Sequence, residues 1–574
     1  MKTFRIREHE RFQFGGESEL MVFDDARFIL PSRLASLLAH CRRFKPLSEH
    51  ARGIAGKLDS SSRLRLAEFC QAQGVAVDPG DDTETRVRLL LDRMAGDGLF
   101  ESLDFITSSD NKGTSARPVE AVGILTSGSM DEFLSGVASF FSWARLHSRR
   151  CAITILDEPG TDENSRKDAL DRLRRDFGVD ARYEGPAQRA ALSATLIDRG
   201  AAPELARLAA EDPRNAFLLS TAGRVAALSL CGGFRGFVEA PAGGRNLLLQ
   251  SDVPLHRFWF LLDEPTAQSP TETSDDWLTR HERFLSKTAS LCAREHALNG
   301  PLALQGLGGA VYRSLKDRTG RVGVTGMGAL SSDPIDPLTL LRLAGGSRRR
   351  LLESEATFVR ACSNAAVLRV AAGPTIAPRL SGISPALGLD NRFPLPPFPP
   401  GEGGSRVFFD ALPLTTPDCL AAELPLAMNV DSSRSPAPPR AQSELLSSVV
   451  RSCAAAPGRT PAHGGARRLG EHLRDAAELD QKSFDRFLRN LEWARRRDDL
   501  LGLERALALY GRRPQFWHAA VEEQKARIRL GMTRSDPFFH SEFERGRIER
   551  YGRLLRNWHE LRSAASEIEK RPFA

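Results

Sequence analysis

Two adjacent carboxylates, Asp157 and Glu158, follow directly after the largely apolar run 152–156. A run of this kind is typical of a buried parallel strand, and open α/β sheets bind their ligands outside the carboxyl ends of such strands. A carboxylate placed there can contact a nucleoside, bind a divalent cation or accept a proton from a substrate hydroxyl group. Strand ends in α/β proteins often carry an aspartate, however, so these two residues alone do not define a function.

Several other chemistries are not indicated because their motifs are missing from the sequence. The eight cysteines lie singly, without a C-x-x-C pair, so neither a zinc knuckle nor a thioredoxin-like site is expected. The chain has no H-E-x-x-H and no G-x-S-x-G motif. The run 260–267, FLLDEPTA, resembles the Walker B strand of transporter ATPases, but no G-x-x-x-x-G-K-[ST] phosphate loop accompanies it. We attribute that likeness to chance.

Composition indicates a globular protein of two or three domains, because the 574 residues are 41% hydrophobic and 27% charged. The net charge is +7, but Asp and Glu are interleaved with the arginines, and no long basic stripe or base-reading motif occurs. Nucleic-acid binding is therefore not expected. The first residues are charged where a signal peptide needs an apolar run, and no stretch approaches the roughly 20 apolar residues of a membrane helix. With thiols suited to a reducing compartment, these features predict a cytoplasmic protein without a membrane partner.

Strands and helices alternate in residues 116–435, which predicts an α/β domain. The sequence pattern gives, in order, a strand at 119–125, a helix at 130–147, a strand at 152–156, a helix at 165–177 and a short strand at 180–183. Such alternation favours a sheet with parallel strands and right-handed crossovers.

Segments of this α/β domain resemble a known enzyme family. Residues 122–126 and 153–158, VGILT and ITILDE, are similar to the first two strands of family-2-type glycosyltransferases, which transfer a sugar from a nucleotide donor. Residues 214–223, RNAFLLSTAG, resemble the helix that leads into the metal-binding strand of the same fold. The resemblance runs through most of residues 119–430. It implies the GT-A fold, a mixed sheet flanked by helices.

The resemblance implies nucleotide-binding roles for Thr126, Asp157, Arg214, Asn215 and Arg392. Among them, Asp157 corresponds to the carboxylate that contacts the nucleoside. A nucleotide sugar is therefore the ligand that the family likeness implies.

The metal motif of the family is replaced in this chain. The strand 226–230 is followed by Cys231, Gly232 and Gly233, where active members carry an aspartate-rich motif. Glycine offers no side-chain oxygen, and one thiol is a soft ligand poorly suited to Mg²⁺ or Mn²⁺. We therefore expect no metal ligands, no divalent metal and no cofactor.

The catalytic base is also absent from its expected place. In the family, the Pro-Pro-Phe loop, here within 395–399, leads into an acidic segment, and Ser405 occupies the acidic position in this chain. Glu402, which is offset by three residues, and Glu158 are the remaining candidates for a base. Removing one catalytic carboxylate or metal ligand typically costs orders of magnitude in rate. The resemblance thus implies a degenerate enzyme.

The regions that flank residues 116–435 have different patterns. Residues 1–115 combine short strands with helices, a pattern that resembles a winged-helix module and, in particular, the peptide-recognition modules found beside enzymes that modify ribosomally made peptides. A small helical packing domain is the alternative interpretation. Residues 436–465 are rich in Ser, Pro, Ala and Gly, which predicts a linker. Apolar residues at helical spacing predict an all-α domain over 466–574.

These observations lead to three hypotheses for the function. The leading one is a binding or scaffold protein that presents a peptide or glycan, or pairs with an active glycosyltransferase. The second is a working metal-independent transferase, in which Arg214, Arg235 or Arg392 stabilises the diphosphate leaving group. The third is a DNA-binding regulator acting through residues 1–115, which the mixed charges of that region do not favour.

Overall fold

The fold is known from a computed structural model of the chain. The residues that it describes are 3–6, 10–13, 18–22, 27–38, 41, 45–72, 74–97, 99–102, 104, 117–126, 128–158, 162–239, 247–249, 256–261, 271–299, 311, 314–315, 319–331, 335–343, 345–363, 366–382, 384–401, 404–430, 440–454, 465–508, 514–533 and 541–568.

The described strands and helices are numbered in chain order. The strands are β1 (Phe4–Ile6), β2 (Glu10–Gln13), β3 (Ser18–Val22), β4 (Arg27–Pro31), β5 (Phe100–Ser102), β6 (Ala121–Thr126), β7 (Ala152–Asp157), β8 (Ala181–Glu184), β9 (Val225–Ser229), β10 (Phe234–Glu239), β11 (Leu248–Leu249), β12 (His256–Leu261), β13 (Thr271–Thr273), β14 (Arg321–Ser331), β15 (Ala366–Ala371), β16 (Thr375–Ala377), β17 (Ala386–Asp390) and β18 (Cys419–Val430).

The helices are α1 (Ser32–Leu38), α2 (Leu47–Ala55), α3 (Ser60–Ala72), α4 (Thr83–Gly96), α5 (Met130–Leu146), α6 (Glu163–Phe177), α7 (Pro186–Asp198), α8 (Pro203–Glu211), α9 (Pro213–Ser220), α10 (Trp277–Glu282), α11 (Ala289–Asn299), α12 (Pro337–Leu341), α13 (Gly345–Leu351), α14 (Glu355–Cys362), α15 (Gly404–Thr415), α16 (Arg440–Ala454), α17 (Gly465–Ala477), α18 (Gln481–Ala508), α19 (Gln515–Thr533) and α20 (Ser541–Ile568).

The chain forms two compact units. The first contains 1–114 together with 245–252 and 287–321, and the second contains 115–244, 253–286 and 322–574.

The first unit is a small α+β structure. Strands β2, β3 and β4 form an antiparallel sheet, and β1 pairs with β5. Helices α1 to α4 lie between β4 and β5 in the chain. They surround a core whose fully buried members include Ala35, Leu38, Leu90 and Leu91.

The second unit is built around a large mixed sheet. Its neighbouring strands follow the order β16-β18-β14-β17-β9-β6-β7-β8. Strands β9, β6, β7 and β8 run parallel, whereas β17 is antiparallel to β9 and β14 is antiparallel to β17. The predicted α/β class is confirmed, because buried strands alternate with helices along residues 121–229.

The C-terminal helices belong to this second unit, and the last of them packs against its sheet. Leu554, Trp558 and Leu561 of α20 share one hydrophobic core with residues of the sheet, and the Trp558 indole N–H donates to the carbonyl oxygen of Leu395 at 2.7 Å. A C-terminal helical region therefore follows the sheet, as the sequence predicts. Among the described residues, no helix is long and apolar enough to cross a membrane.

Helix α16 lies inside the range 436–465, for which composition predicts a linker. Its buried apolar residues, among those described, are Leu445, Leu446, Val449 and Val450. Their spacing places them on one face of a helix. The free energy gained by burying this face stabilises the helix, although the surrounding sequence is rich in Ser and Pro.

Candidate functional site

The candidate site is the edge of the sheet where the parallel strands β6, β7, β8 and β9 end, which we call the carboxyl edge. Strands β7 and β9 lie on opposite sides of β6, so the chain order reverses at this position. Such a switch point forms a crevice in open α/β sheets, because the connections leave in opposite directions. Thr126 and Asp157 are register partners at this edge, and the loop 230–233 follows β9.

Asp157 is fully buried and its carboxylate is occupied by neighbouring side chains. Its Oδ1 atom is the acceptor of an ion pair with Arg166, and Oδ2 accepts a hydrogen bond from the Tyr183 hydroxyl group at 2.5 Å. The Thr126 hydroxyl group lies 3.3 Å from Oδ1. A buried carboxylate in this state is a structural ion pair and does not face a crevice.

Arg166 is held as firmly as the carboxylate that it binds. Its side chain is 3% exposed, it also donates to the carbonyl oxygen of Gly128 at 2.6 Å, and its guanidinium carbon lies 4.9 Å from the centre of the Phe133 ring. Burial and the hydrogen bond to Asp157 raise the pKa of Tyr183. The sequence gives no sign of these partners, which come from α6 and from the neighbouring strand β8.

Glu158 lies at the same edge, next to the fully buried pair. Its backbone N–H donates to the carbonyl oxygen of Thr126 at 3.2 Å, and its side chain is partly buried. Burial of the Arg214 guanidinium acts to lower its pKa, but the negative charges of Asp212 and Glu158 outweigh this effect and raise it. Glu158 and Arg214 are therefore close enough to interact electrostatically at the carboxyl edge.

Arg214 and Asn215 both position the proline-rich loop that passes the start of α9. The Asn215 amide donates to the carbonyl oxygen of Phe398 at 2.8 Å and accepts from the Phe398 backbone N–H at 2.7 Å. Arg214 forms a two-pronged ion pair with Asp212 and donates to the carbonyl oxygen of Gly401 at 3.0 Å. This geometry gives both residues a local structural role.

Arg392 lies at the opposite edge of the sheet. Strand β17 is antiparallel to β9, so Asp390 pairs with Val225 at the beginning of β9, and Arg392 forms a two-pronged ion pair with Asp390. Arg562 of α20 donates to the side chain and the carbonyl oxygen of Asn391, which fixes this turn. The structure therefore separates Arg392 from the other predicted nucleotide-binding residues.

The loop 230–233, which follows β9, is packed against its surroundings. The Cys231 thiol donates to the Met428 sulfur at 3.1 Å and lies 3.4 Å from the Ser229 hydroxyl oxygen. On its other side, the carbonyl oxygen of Gly232 lies so close to Gly136 of α5 that a Cβ atom at position 136 would overlap it. The backbone of α5 thus supports this loop directly.

Glu184 is a carboxylate of the carboxyl edge that the sequence analysis missed. It ends β8, opposite Leu156 of β7, and its Oε1 atom is buried without a hydrogen-bond partner among the described residues. Burial raises its pKa to about 7, although the positive charge of Arg189 acts in the opposite direction. Its position directly after the predicted strand 180–183 is the signal that could have identified it.

The other candidate base, Glu402, lies outside the described residues. Within the described part of the chain, no group of three or more His, Cys, Asp or Glu side chains is arranged to hold a metal ion.

Comparison with known proteins gives no relative: no family model, no curated protein and no solved structure matches this chain.

Proposed function

We propose that this chain is a glycosyltransferase-like protein of the GT-A type that acts in binding or as a scaffold instead of transferring sugar. The observation that carries the proposal is the state of Asp157, which the family likeness assigns to the nucleoside. Both of its oxygens are engaged inside the protein by Arg166 and Tyr183.

The loop after β9 supports the same proposal. A divalent ion in this type of enzyme neutralises the diphosphate leaving group and needs oxygen ligands. Ser229 and Cys231 bring a hydroxyl group and a thiol to this position, and the thiol is directed at Met428. These groups do not fit a Mg²⁺ or Mn²⁺ site.

The rival function, a metal-independent transferase, needs an arginine whose charge is available to a diphosphate. Arg214 and Arg392 are each bound in a two-pronged ion pair, to Asp212 and Asp390 respectively. Arg235, on β10, is exposed. An arginine that is already neutralised must break its ion pair before it can stabilise a leaving group, which makes two of the three candidates unfavourable.

The partner of such a scaffold would be a peptide, a glycan or an active glycosyltransferase. Residues 1–115, whose sequence pattern resembles a peptide-recognition module, favour a peptide among these partners.

The decisive experiment measures nucleotide release from a panel of nucleotide sugars, with Mn²⁺ and separately with a chelator. The proposal expects no release above the uncatalysed background in either condition. Release that requires Mn²⁺ would refute it. Release that persists with chelator and is lost in Glu158→Gln would establish the metal-independent transferase.

Binding is measured separately by calorimetry with the same nucleotide sugars. Weak or no binding agrees with the proposal, whereas micromolar binding without turnover that is lost in Thr126→Val would assign the carboxyl edge a nucleotide-holding role. Thr126→Val is the variant for comparison, because it removes the hydroxyl group at the edge and keeps a β-branched side chain.

A further inference from the structure

A groove in the second unit lies between three helices, and arginine is the most frequent residue of its lining. It has a volume of about 820 Å³ and lies between the beginning of α8, one face of α17 and one face of α20. Its arginines are Arg207, Arg467, Arg474, Arg553 and Arg556, and we call it the arginine groove. Three glutamates, Glu204, Glu471 and Glu560, also line it.

The charges in the arginine groove are only partly paired. Arg553 binds Glu204 at 2.5 Å and Arg467 binds Glu471 at 3.2 Å, while Arg474 binds Asp475, which is not part of the lining. Arg207 is exposed and has no ion-pair or hydrogen-bond partner among the described residues. Arg556 has a buried Nε atom without any partner there. The groove therefore contains guanidinium donors that the protein itself does not satisfy.

The beginning of α8 adds further donors to the same groove. This helix starts at Pro203, and its N-cap residue, Ala202, makes no side-chain hydrogen bond to the first turn. The backbone N–H groups of Glu204 and Leu205 are consequently free of an intrahelical acceptor. Helix N-termini carry a partial positive charge and bind phosphate through such groups.

The walls of the arginine groove are held rigidly. Helices α17 and α20 touch at Gly470 and Gly552, where a Cβ atom at position 470 would lie 2.6 Å from the Gly552 carbonyl oxygen. Because the two backbones are in direct contact, the Cα positions of the arginines on either side of this contact are fixed. Preorganisation of this kind reduces the entropic cost of binding.

From these features we infer that the arginine groove binds a small ligand with two or more phosphate groups. Arginine forms paired hydrogen bonds with phosphate oxygens, and a volume of about 820 Å³ suits a small molecule. A nucleic acid is a poorer fit, because the three glutamates interrupt the arginines and leave no continuous basic stripe along which an extended backbone could lie.

The arginine groove is distinct from the carboxyl edge. None of its lining residues lies on β6, β7, β8 or β9 or in the loop 230–233. The two sites therefore share no described residue, and each can be tested by its own variants.

Calorimetry with tripolyphosphate, at about 150 mM salt and without metal, tests this inference. Saturable binding is expected, and Arg207→Glu and Arg556→Gln should each weaken it by about tenfold, because each removes charge-assisted hydrogen bonds. Arg468→Glu is the matched control: Arg468 is an exposed arginine of α17 that does not line the groove. It should change the affinity less than about twofold, since it carries the same charge change without the contact.

Three results would overturn the inference. One is the absence of saturable binding by the wild-type chain. Another is an equal loss of affinity in Arg468→Glu and Arg207→Glu, which would indicate a general charge effect. The last is tighter binding of a duplex DNA of random sequence, with displacement of tripolyphosphate, which would assign the groove to nucleic acid. Circular dichroism of each variant establishes that it is folded.

Discussion

The carboxyl edge and the arginine groove both concentrate charged side chains, but they differ in how those charges are paired. At the carboxyl edge, Asp157 is matched to Arg166 and Tyr183 in the interior. In the arginine groove, Arg207 and Arg556 have no partner among the described residues. Asp157, to which the family likeness assigns a function, thus has its hydrogen-bonding capacity used inside the protein. The arginine groove carries no sequence motif, but it contains guanidinium donors without an acceptor among the described residues.

The contrast shows that the place of a residue in a fold and its availability to a ligand are separate properties. An internally matched charge stabilises the protein, and its removal should mainly affect folding. An unmatched surface charge contributes little to stability and remains available for binding. The following predictions test that division.

The largest expected effect is at Asp157. Asp157→Ala should lower the free energy of unfolding by about 3–5 kcal/mol, because it leaves the buried Arg166 guanidinium without its counter-charge. Denaturant unfolding measures this loss. Asp180→Ala removes a carboxylate that is 89% exposed and pairs with Arg174, and it should leave stability nearly unchanged. A stable, fully folded Asp157→Ala protein would break the comparison.

A slightly smaller effect is expected at Asn215. Asn215→Ala should lower the free energy of unfolding by about 2–3 kcal/mol, since it leaves the buried backbone N–H and C=O groups of Phe398 unpaired. The same unfolding experiment measures it. Asn164→Ala, on the exposed side of α6, is the control and should behave like wild type. If the two variants are equally stable, Asn215 is available for a ligand after all.

Glu184 predicts a dependence of stability on pH. Its pKa is about 7 in the folded chain, against an ordinary value of 4.5, so the folded state retains a proton that the unfolded state releases. Stability should therefore fall as the pH rises from about 4.5 to about 7.

Glu184→Gln removes this titration and tests the prediction. The variant should match wild type near pH 4.5 and exceed its stability at pH 8 by an amount on the order of 2 kcal/mol. Unfolding curves at both pH values measure the difference. Glu163→Gln, in an ion pair with Lys167 on α6, should keep the wild-type profile. Parallel profiles for wild type and Glu184→Gln would show that Glu184 is solvated.

The smallest effect on stability is expected in the arginine groove. Arg207→Glu should change the free energy of unfolding by less than about 0.5 kcal/mol, because it breaks no contact of the described chain. Thermal unfolding without phosphate checks this. A large loss of stability would mean that Arg207 makes stabilising contacts in the folded chain. The contrast with Asp157 would then disappear.

Much of the fold could be predicted from the sequence, because its elements depend on local patterns. The apolar run 152–156 and the amphipathic helix from Met130 follow directly from the alternation of apolar and polar residues. Helix α16 was concealed by the composition of 436–465, although Leu445 and Val449 already show helical spacing.

The state of the candidate site could not be predicted, because it depends on contacts between distant residues. Arg166 and Tyr183 are 9 and 26 residues from Asp157, and nothing in their spacing indicates a shared ion pair. Likewise, the position of Arg392 depends on the antiparallel direction of β17, which a single sequence does not specify. The resemblance to glycosyltransferases itself stays a prediction.

The contact between Gly136 and the loop after β9 has a consequence for how this site can change over evolutionary time. Any side chain at position 136 would collide with the Gly232 carbonyl, so that glycine is fixed by its neighbour. Position 232 is different, since a Cβ atom there would meet only the Leu125 carbonyl oxygen at 3.9 Å. An acidic residue at position 232 would therefore fit without moving the sheet, so steric constraints alone do not keep carboxylates out of this loop.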